Sequence, residues 1–164
     1  FCEVISDDGV KAITVPDERW ARRDIKTTQL LANCRAKQRA AEQGAYEAIM
    51  VMPDGSVSEG STSNVWILTP NGELVTRKAS NDILNGITRQ TIKSIASERQ
   101  VQIVHRDFTV SEMLGAEEVF VTSATSIVTP VTEIDGTVIK DGKTGCLSAA
   151  LRADYFKKSD RTAL

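Results

Sequence analysis

The sequence predicts one α+β domain in which packed sheets carry flanking helices. Strand-like runs outnumber helix-like runs, and most of them are joined by short turns. Hairpin-connected strands favour this class over a regular alternation of strands and helices. The 164 residues suffice for one well-buried core, and the sequence has no repeat, linker or low-complexity segment.

The chain begins with extended segments. The β-branched runs "FCEVIS" and "VKAITV" flank the turn sequence "DDG", which predicts a hairpin. Apolar residues then recur at helical spacing, which predicts a first helix over residues 27–43. Gly44 follows at a position that favours a left-handed C-cap residue. Lys26 therefore stands at the entrance of the predicted helix.

The middle of the chain predicts strands followed by a second helix. Four extended runs separated by turn residues indicate an antiparallel meander: "YEAIMVM", "SVSEG", "NVWILT" and "ELVT". The hydrophobic period then changes, which predicts a helix over residues 88–99 with glycine before its first turn.

The last third predicts further strands and two helices. The strands are "VQIVHRD", "EVFVTS", "VTPVTEID" and "TVIK", with a short helix at "VSEMLGA". The pair Asp135-Gly136 indicates a tight turn between the last two strands. A final helix is predicted over residues 146–158.

The composition excludes several functions. The 20 Lys and Arg residues nearly balance the 22 Asp and Glu residues, so we expect no binding to nucleic acid or to an anionic membrane. Apolar runs are too short to span a membrane, and no signal segment is evident. Three distant cysteines (Cys2, Cys34, Cys146) and one histidine predict reduced thiols in a cytoplasmic protein and no metal site.

Four features could carry chemistry. Lys26 could form a Schiff base, and Glu59 could point from a strand end into a cleft. The glycine-led helix start "LNGITR" and the loop "TSATS" could bind an anion through their N–H and hydroxyl groups. Each also fits an ordinary role: a surface lysine, a solvated acid, a capped helix and a polar turn.

Taken together, the four features match the needs of one cofactor. Pyridoxal phosphate requires an amine for its aldehyde, an acid for its ring nitrogen and N–H donors for its phosphate. The sequence does not establish that the four features meet in space.

The ordered motifs resemble the class IV, or fold-type IV, pyridoxal-phosphate aminotransferases. The resemblance covers most of residues 10–145. "EGSTSN" and "YEA" resemble D-amino-acid aminotransferases most closely. The motifs in order are "RWARRDIKTTQLLANCRAKQRAAEQGAYEAIMV", "GSVSEGSTSNVWI", "ILNGITRQ", "EEVFVTSATSIVTPVTEIDG" and "IKDGKTG".

The resemblance implies roles for particular residues. Lys26 would form the Schiff base with pyridoxal 5'-phosphate and then shuttle the substrate proton. Glu59 would hold the ring nitrogen in its protonated form. Leu84 would pack on the ring, Ile87 and Thr88 would bind the phosphate, and Arg19 would reach the phenolic oxygen.

The loop "TSATS" departs from the family pattern. Relatives commonly have a phosphate-binding threonine where this chain has Ala124. The resemblance therefore assigns this contact to backbone N–H groups or to the hydroxyls of Ser123 and Thr125.

The resemblance also implies an architecture and a reaction. Residues 1–164 would be one cofactor-binding large domain, with pseudo-barrel sheets, of a homodimeric D-amino-acid aminotransferase-like protein. The Met-less, strand-like start suggests a piece of a longer polypeptide that lacks the family's small N-terminal domain and its substrate-binding groups.

The expected reaction is transamination between a D-amino acid and a 2-oxo acid. Branched-chain aminotransferase, (R)-amine transaminase, aminodeoxychorismate lyase and a non-catalytic cofactor-binding fragment remain alternatives.

Overall fold

The computed structural model describes the backbone of residues 8–162 and the side chains of residues 8–159. Strands β1 to β9 cover Val10–Pro16, Glu47–Val51, Val57–Gly60, Asn64–Leu68, Leu74–Thr76, Ile103–His105, Glu118–Ser123, Ile127–Ile134 and Thr137–Val138. Helices α1 to α4 cover Leu31–Glu42, Ile87–Glu98, Val110–Leu114 and Cys146–Thr162. None of the helices in this described part is long and apolar enough to cross a membrane.

The nine strands form one mixed sheet that curls into a half-barrel. Its order is β3-β2-β1-β8-β7-β4-β5-β6, and β9 pairs with β8. Strand β1 runs parallel to both β2 and β8, and β5 runs parallel to β6. The other pairs are antiparallel. The α+β class with flanking helices is confirmed, although the strands belong to one continuous sheet rather than to two or more.

Hydrophobic cores cover both faces of the sheet. Trp66 and Ile67 are adjacent and fully buried in β4, yet they belong to different clusters, as side-chain alternation requires. Trp66 stacks on Phe120 at 5.8 Å in the core beneath α2 and α4. Ala36 and Ala40 of α1 belong to a third cluster, which packs against β1 and β2.

The first helix begins four residues later than predicted. Local hydrogen bonds replace the expected first helical turn, since the amide of Leu30 donates to the carbonyl of Thr28 at 2.9 Å. The amide of Gln29 donates to the hydroxyl of Thr27 at 3.3 Å. Threonine is a poor helix former that readily makes such local bonds. Lys26 therefore lies in an irregular segment and not at the helix entrance.

The predicted meander is only partly correct. Strands β2 and β3 form one antiparallel pair and β4 and β5 form another, but β3 and β4 are not neighbours in the sheet. A turn closed by the amide of Gly60 on the carbonyl of Ser63, at 2.7 Å, redirects the chain between them. Strand β4 then pairs with β7.

The later elements follow the prediction closely. Helix α2 begins and ends one residue earlier than expected, and α4 begins at Cys146 but continues to Thr162. Asp135 and Gly136 form the predicted turn with φ values of 50° and 76°. The run "FCEVIS" and Cys2 lie outside the described residues.

Candidate active site

A cavity of about 560 Å³ opens beside the ends of β3 and α2. It gathers residues from four separate parts of the chain, which are far apart in sequence. Eight of the nine predicted site residues line it: Arg19, Lys26, Glu59, Leu84, Ile87, Thr88, Ser123 and Ala124. Thr125 lies outside this lining, and its hydroxyl is 3.2 Å from the hydroxyl of Ser123.

Lys26 reaches the cavity from the irregular segment between β1 and α1. Backbone hydrogen bonds hold this segment: Arg23 donates to the carbonyl of Asn81 at 2.9 Å, and Ile25 donates to that of Arg22 at 3.1 Å. The Lys26 side chain is exposed at the cavity, and within the described residues its amine forms no ion pair. This amine is therefore accessible to a ligand in the cavity.

Glu59 is a buried acid at the end of β3, with only 5% of its surface exposed. One carboxylate oxygen, Oε1, accepts a hydrogen bond from Nη1 of Arg19. The other, Oε2, accepts from Nδ2 of Asn64 at 2.9 Å and from the amide of Leu84 at 3.1 Å. These three donors fix the orientation of the carboxylate in the cavity wall.

Burial raises the pKa of Glu59 to about 7, although Arg19 and the Leu84 amide favour the charged form. The charge of Arg19 only partly compensates, because Arg19 also pairs with Asp17 at 2.7 Å and the Asp17 charge opposes a second negative charge nearby. Glu59 therefore changes protonation state near neutral pH.

Asp17 lies at the centre of a charged cluster that it forms with Arg19, Arg23 and Glu59. Burial alone would raise its pKa, but hydrogen bonds from Arg19 and from Ser58, which donates at 2.7 Å, lower the pKa of Asp17 to about 2. Nε of Arg23 approaches the same carboxylate at 3.2 Å. Arg19 thus lies between two acids, with its guanidinium directed at Glu59 and Asp17.

The start of α2 provides N–H groups for an anion. Gly86 is the N-cap residue, and no side chain caps the first turn of this helix. The hydroxyl of Thr88 donates to the carbonyl of Ser123 at 3.0 Å, which joins the helix start to the end of β7. Ile87, Thr88, Ser123 and Ala124 therefore line one corner of the cavity together. Such a corner suits a phosphate or a carboxylate.

Asn64 is a site residue that sequence reasoning missed. Its amide group donates both to Glu59 and, at 2.8 Å, to the carbonyl of Leu84. A Cβ at Gly86 would lie 2.7 Å from Oδ1 of Asn64, so glycine allows this close approach. Asn64 ends the motif "EGSTSN", and this position was a signal that could have identified it.

Glu47 is a second missed residue. It is 1% exposed and organises the loop that follows Glu59. The Glu47 carboxylate accepts hydrogen bonds from the amide of Ser61 at 3.1 Å, from the hydroxyl of Ser61, and from the hydroxyl of Ser63 at 2.8 Å. A Cβ at Gly60 would lie 2.1 Å from Oγ of Ser63. An acid within the apolar strand "YEAIMV" was the available signal.

Comparisons with known proteins identify the family. The family model "Amino-transferase class IV" matches residues 7–134. "D-alanine aminotransferase" of Listeria innocua is 45% identical over 149 residues, which are 91% of this chain and 50% of the relative. That of Staphylococcus epidermidis is 41% identical over 151 residues, or 92% and 53%.

Solved structures give the same result. A branched-chain amino acid aminotransferase from "T.th.", with pyridoxamine 5'-phosphate, has a TM-score of 0.84 and 28% identity, over 94% of this chain and 53% of the other. The enzyme of Thermoproteus uzoniensis with norvaline has a TM-score of 0.78 and 29% identity, over 93% and 52%.

The chain spans about half the length of the curated relatives that it matches. The match to the family model covers well over half of this chain, and the relatives match most of it. The chain therefore belongs to the class IV aminotransferases.

Proposed function

We propose that this chain forms the pyridoxal 5'-phosphate site of an enzyme that transfers amino groups between a D-amino acid, such as D-alanine, and a 2-oxo acid. The observation that carries the proposal is the shared cavity of Lys26, Glu59 and the uncapped start of α2. An exposed amine, a buried acid and free helical N–H groups are the donor set that this cofactor needs. The residues present therefore fit the cofactor.

The proposed roles follow from the chemistry of each group. The Lys26 amine would hold the cofactor covalently and move the substrate proton. Glu59 would accept a hydrogen bond from the ring nitrogen, while Arg19, Asn64 and the Leu84 amide keep its carboxylate in place. When bound, the cofactor supplies an electron sink for the carbanion of the substrate.

The anion corner would hold the cofactor phosphate. The N–H groups of Ile87 and Thr88 point from the helix start, and the macrodipole of α2 favours a negative charge there. Ser123 and Ala124 close the corner from the β7 side. The Thr88 hydroxyl donates to Ser123 and thereby aligns the two sides.

The position of Arg19 changes its proposed role. The family resemblance implies a contact with the phenolic oxygen of the cofactor. The hydrogen bonds of Arg19 to Glu59 and Asp17 support a different function, which is control of the protonation of Glu59.

The relatives support the D-amino-acid substrate. Curated D-alanine aminotransferases are 41–45% identical to this chain, whereas the structures of branched-chain aminotransferases cited above are 28–29% identical. Because the chain spans about half of those relatives, the activity is proposed for the native protein that carries this domain, acting as a homodimer. The groups that bind the substrate carboxylate would come from a small N-terminal domain.

A spectroscopic experiment tests the cofactor site. Adding pyridoxal phosphate to the protein should produce a visible absorption band that survives gel filtration. Lys26→Ala should abolish the band because the amine is lost. Lys78→Ala removes an exposed lysine outside the cavity and should leave the band unchanged. Absence of the band from the wild-type protein, or its retention in Lys26→Ala, would contradict the site.

A kinetic experiment tests the substrate. The native protein should exchange amino groups between D-alanine and 2-oxoglutarate. Activity confined to L-branched amino acids would replace the D-amino-acid assignment with the branched-chain alternative.

A further inference from the structure

The hairpin loop between β7 and β8 contains a backbone conformation that its sequence disfavours. Residues 124–126 connect the paired residues Ser123 and Ile127. Ile127 has a φ of 64°, and its side chain is 5% exposed. Hairpin loops of this length use a left-handed residue, and glycine or asparagine usually supplies it. A β-branched residue in this region is a genuine outlier.

The backbone strain at Ile127 is large enough to affect the shape of a neighbouring binding site. The left-handed region costs an L-residue enough to change the population of the loop conformation about tenfold. Contacts elsewhere must therefore hold the loop in this conformation. The described residues contain one cation that makes such contacts on both sides of Ile127.

Arg152, on α4, binds the carbonyl groups of the two residues that neighbour Ile127 in the chain. Its Nη1 donates to the carbonyl of Ser126 at 2.7 Å and to that of Val128 at 2.7 Å. The guanidinium also lies over the ring of Phe156, with its central carbon 5.3 Å from the ring centroid. Both hydrogen bonds are charge-assisted and therefore stronger than neutral ones.

The clamped loop continues into the anion corner. The Ser126 amide donates to the hydroxyl of Ser123 at 3.1 Å, and the two serine hydroxyls are 2.8 Å apart. The Ser123 carbonyl in turn accepts the hydroxyl of Thr88 at the start of α2. Arg152 itself does not line the cavity. Its effect on a bound ligand would pass through Ser126 and Ser123.

We propose that Arg152 is a positioning residue that holds the strained β7–β8 loop in the shape that completes the phosphate corner. This inference rests on the proposed function, because it identifies the ligand of that corner as the cofactor phosphate. Arg152 acts on the phosphate and not on the aldehyde or the ring. Its loss should therefore weaken binding of phosphorylated ligands selectively.

The test compares pyridoxal phosphate with pyridoxal, which lacks the phosphate. In Arg152→Met the dissociation constant for pyridoxal phosphate should rise about tenfold, while that for pyridoxal should change less than about twofold. Arg99→Met is the matched control, because Arg99 joins α2 to Asp154 of α4 without touching the loop. Its two dissociation constants should remain at the wild-type values. Equal weakening of both ligands in Arg152→Met, or no weakening of either, would overturn the proposal.

A second variant tests the strain directly. Glycine adopts a positive φ without steric cost, so adding Ile127→Gly to Arg152→Met should restore the preference for pyridoxal phosphate over pyridoxal. The ratio of the two affinities is the readout. Loss of the buried Ile127 side chain destabilises the protein itself, and this affects the binding of both ligands equally. A ratio that stays at the Arg152→Met value would contradict the role of strain.

Hydrogen exchange separates this inference from the proposed function. Without any ligand, the amides of residues 123–128 should exchange about tenfold faster in Arg152→Met than in wild type. Arg99→Met should leave them unchanged. If the wild-type protein binds neither pyridoxal nor its phosphate, the proposed function fails, and this measurement still decides the role of Arg152. Unchanged exchange in Arg152→Met would refute that role.

Discussion

Replacing Glu59 with glutamine should change how the stability of the protein depends on pH. Burial raises the pKa of Glu59 to about 7 in the folded protein, whereas the ordinary value is 4.5. Between these pH values the folded state binds more protons at this site than the unfolded state does. The free energy of unfolding therefore decreases as pH rises through the folded pKa, by about 3 kcal/mol in total. Glutamine cannot ionise and lacks this decrease.

Urea denaturation from pH 5 to pH 8 measures the effect. Without cofactor, tryptophan fluorescence reports unfolding, because Trp66 is fully buried in the folded protein. The unfolding free energy of wild type minus that of Glu59→Gln should fall by about 3 kcal/mol from pH 5 to pH 8. Asp17 does not interfere, because its lowered pKa of about 2 places its contribution at more acidic pH.

A control and a refuting result complete this test. Glu42→Gln removes an exposed acid of α1 outside the charged cluster, so its profile should run parallel to that of wild type. If the profile of Glu59→Gln were also parallel to wild type, Glu59 would be ionised throughout this range. Arg19 and the Leu84 amide would then compensate fully for the burial of Glu59.

Two further substitutions test packing and the anion corner. Gly145→Ala should lower the free energy of unfolding by about 1–2 kcal/mol, because its Cβ would lie 1.8 Å from Cδ of Glu118, whose carboxylate caps the start of α4. Gly115→Ala is the control, since its Cβ would make only ordinary contacts, and an equal loss in both variants would refute the clash. Thr88→Val removes the hydrogen bond to Ser123 and should cost about 1 kcal/mol of stability in thermal denaturation. It should also weaken binding of pyridoxal phosphate more than that of pyridoxal, and an unchanged preference would contradict the joined corner.

Local patterns were sufficient to predict most elements. The period of the apolar residues located α2 to within one residue, and the turn chemistry located Asp135 and Gly136. The predicted meander failed where nonlocal contacts decide the path of the chain. The turn at Gly60 depends on the buried carboxylate of Glu47, which lies more than ten residues earlier in the chain. No local pattern contains that information.

In the candidate site, too, local sequence patterns revealed some residues, whereas residues that act through nonlocal contacts were missed. Motifs made Lys26, Glu59 and Thr88 candidates, and these three residues line one cavity, which the sequence alone did not establish. Asn64 and Glu47 were missed, because a residue whose role is to orient another group shows that role only through its partners in space. Their sequence signals, an amide after a serine-rich loop and an acid in an apolar strand, fit many structural roles.

The arrangement around Glu59 explains how a buried acid can serve a cationic ligand. Asp17 takes part of the charge of Arg19, since it accepts from Nε and Nη2 at 2.9 and 2.7 Å. Burial, with a smaller contribution from the Asp17 charge, leaves Glu59 near its protonation midpoint at neutral pH. A protonated ring nitrogen placed beside it would supply the missing positive charge, so ligand binding and ionisation of Glu59 should favour each other. Asp17, which does not line the cavity, adds to this effect because its negative charge opposes the ionisation of Glu59.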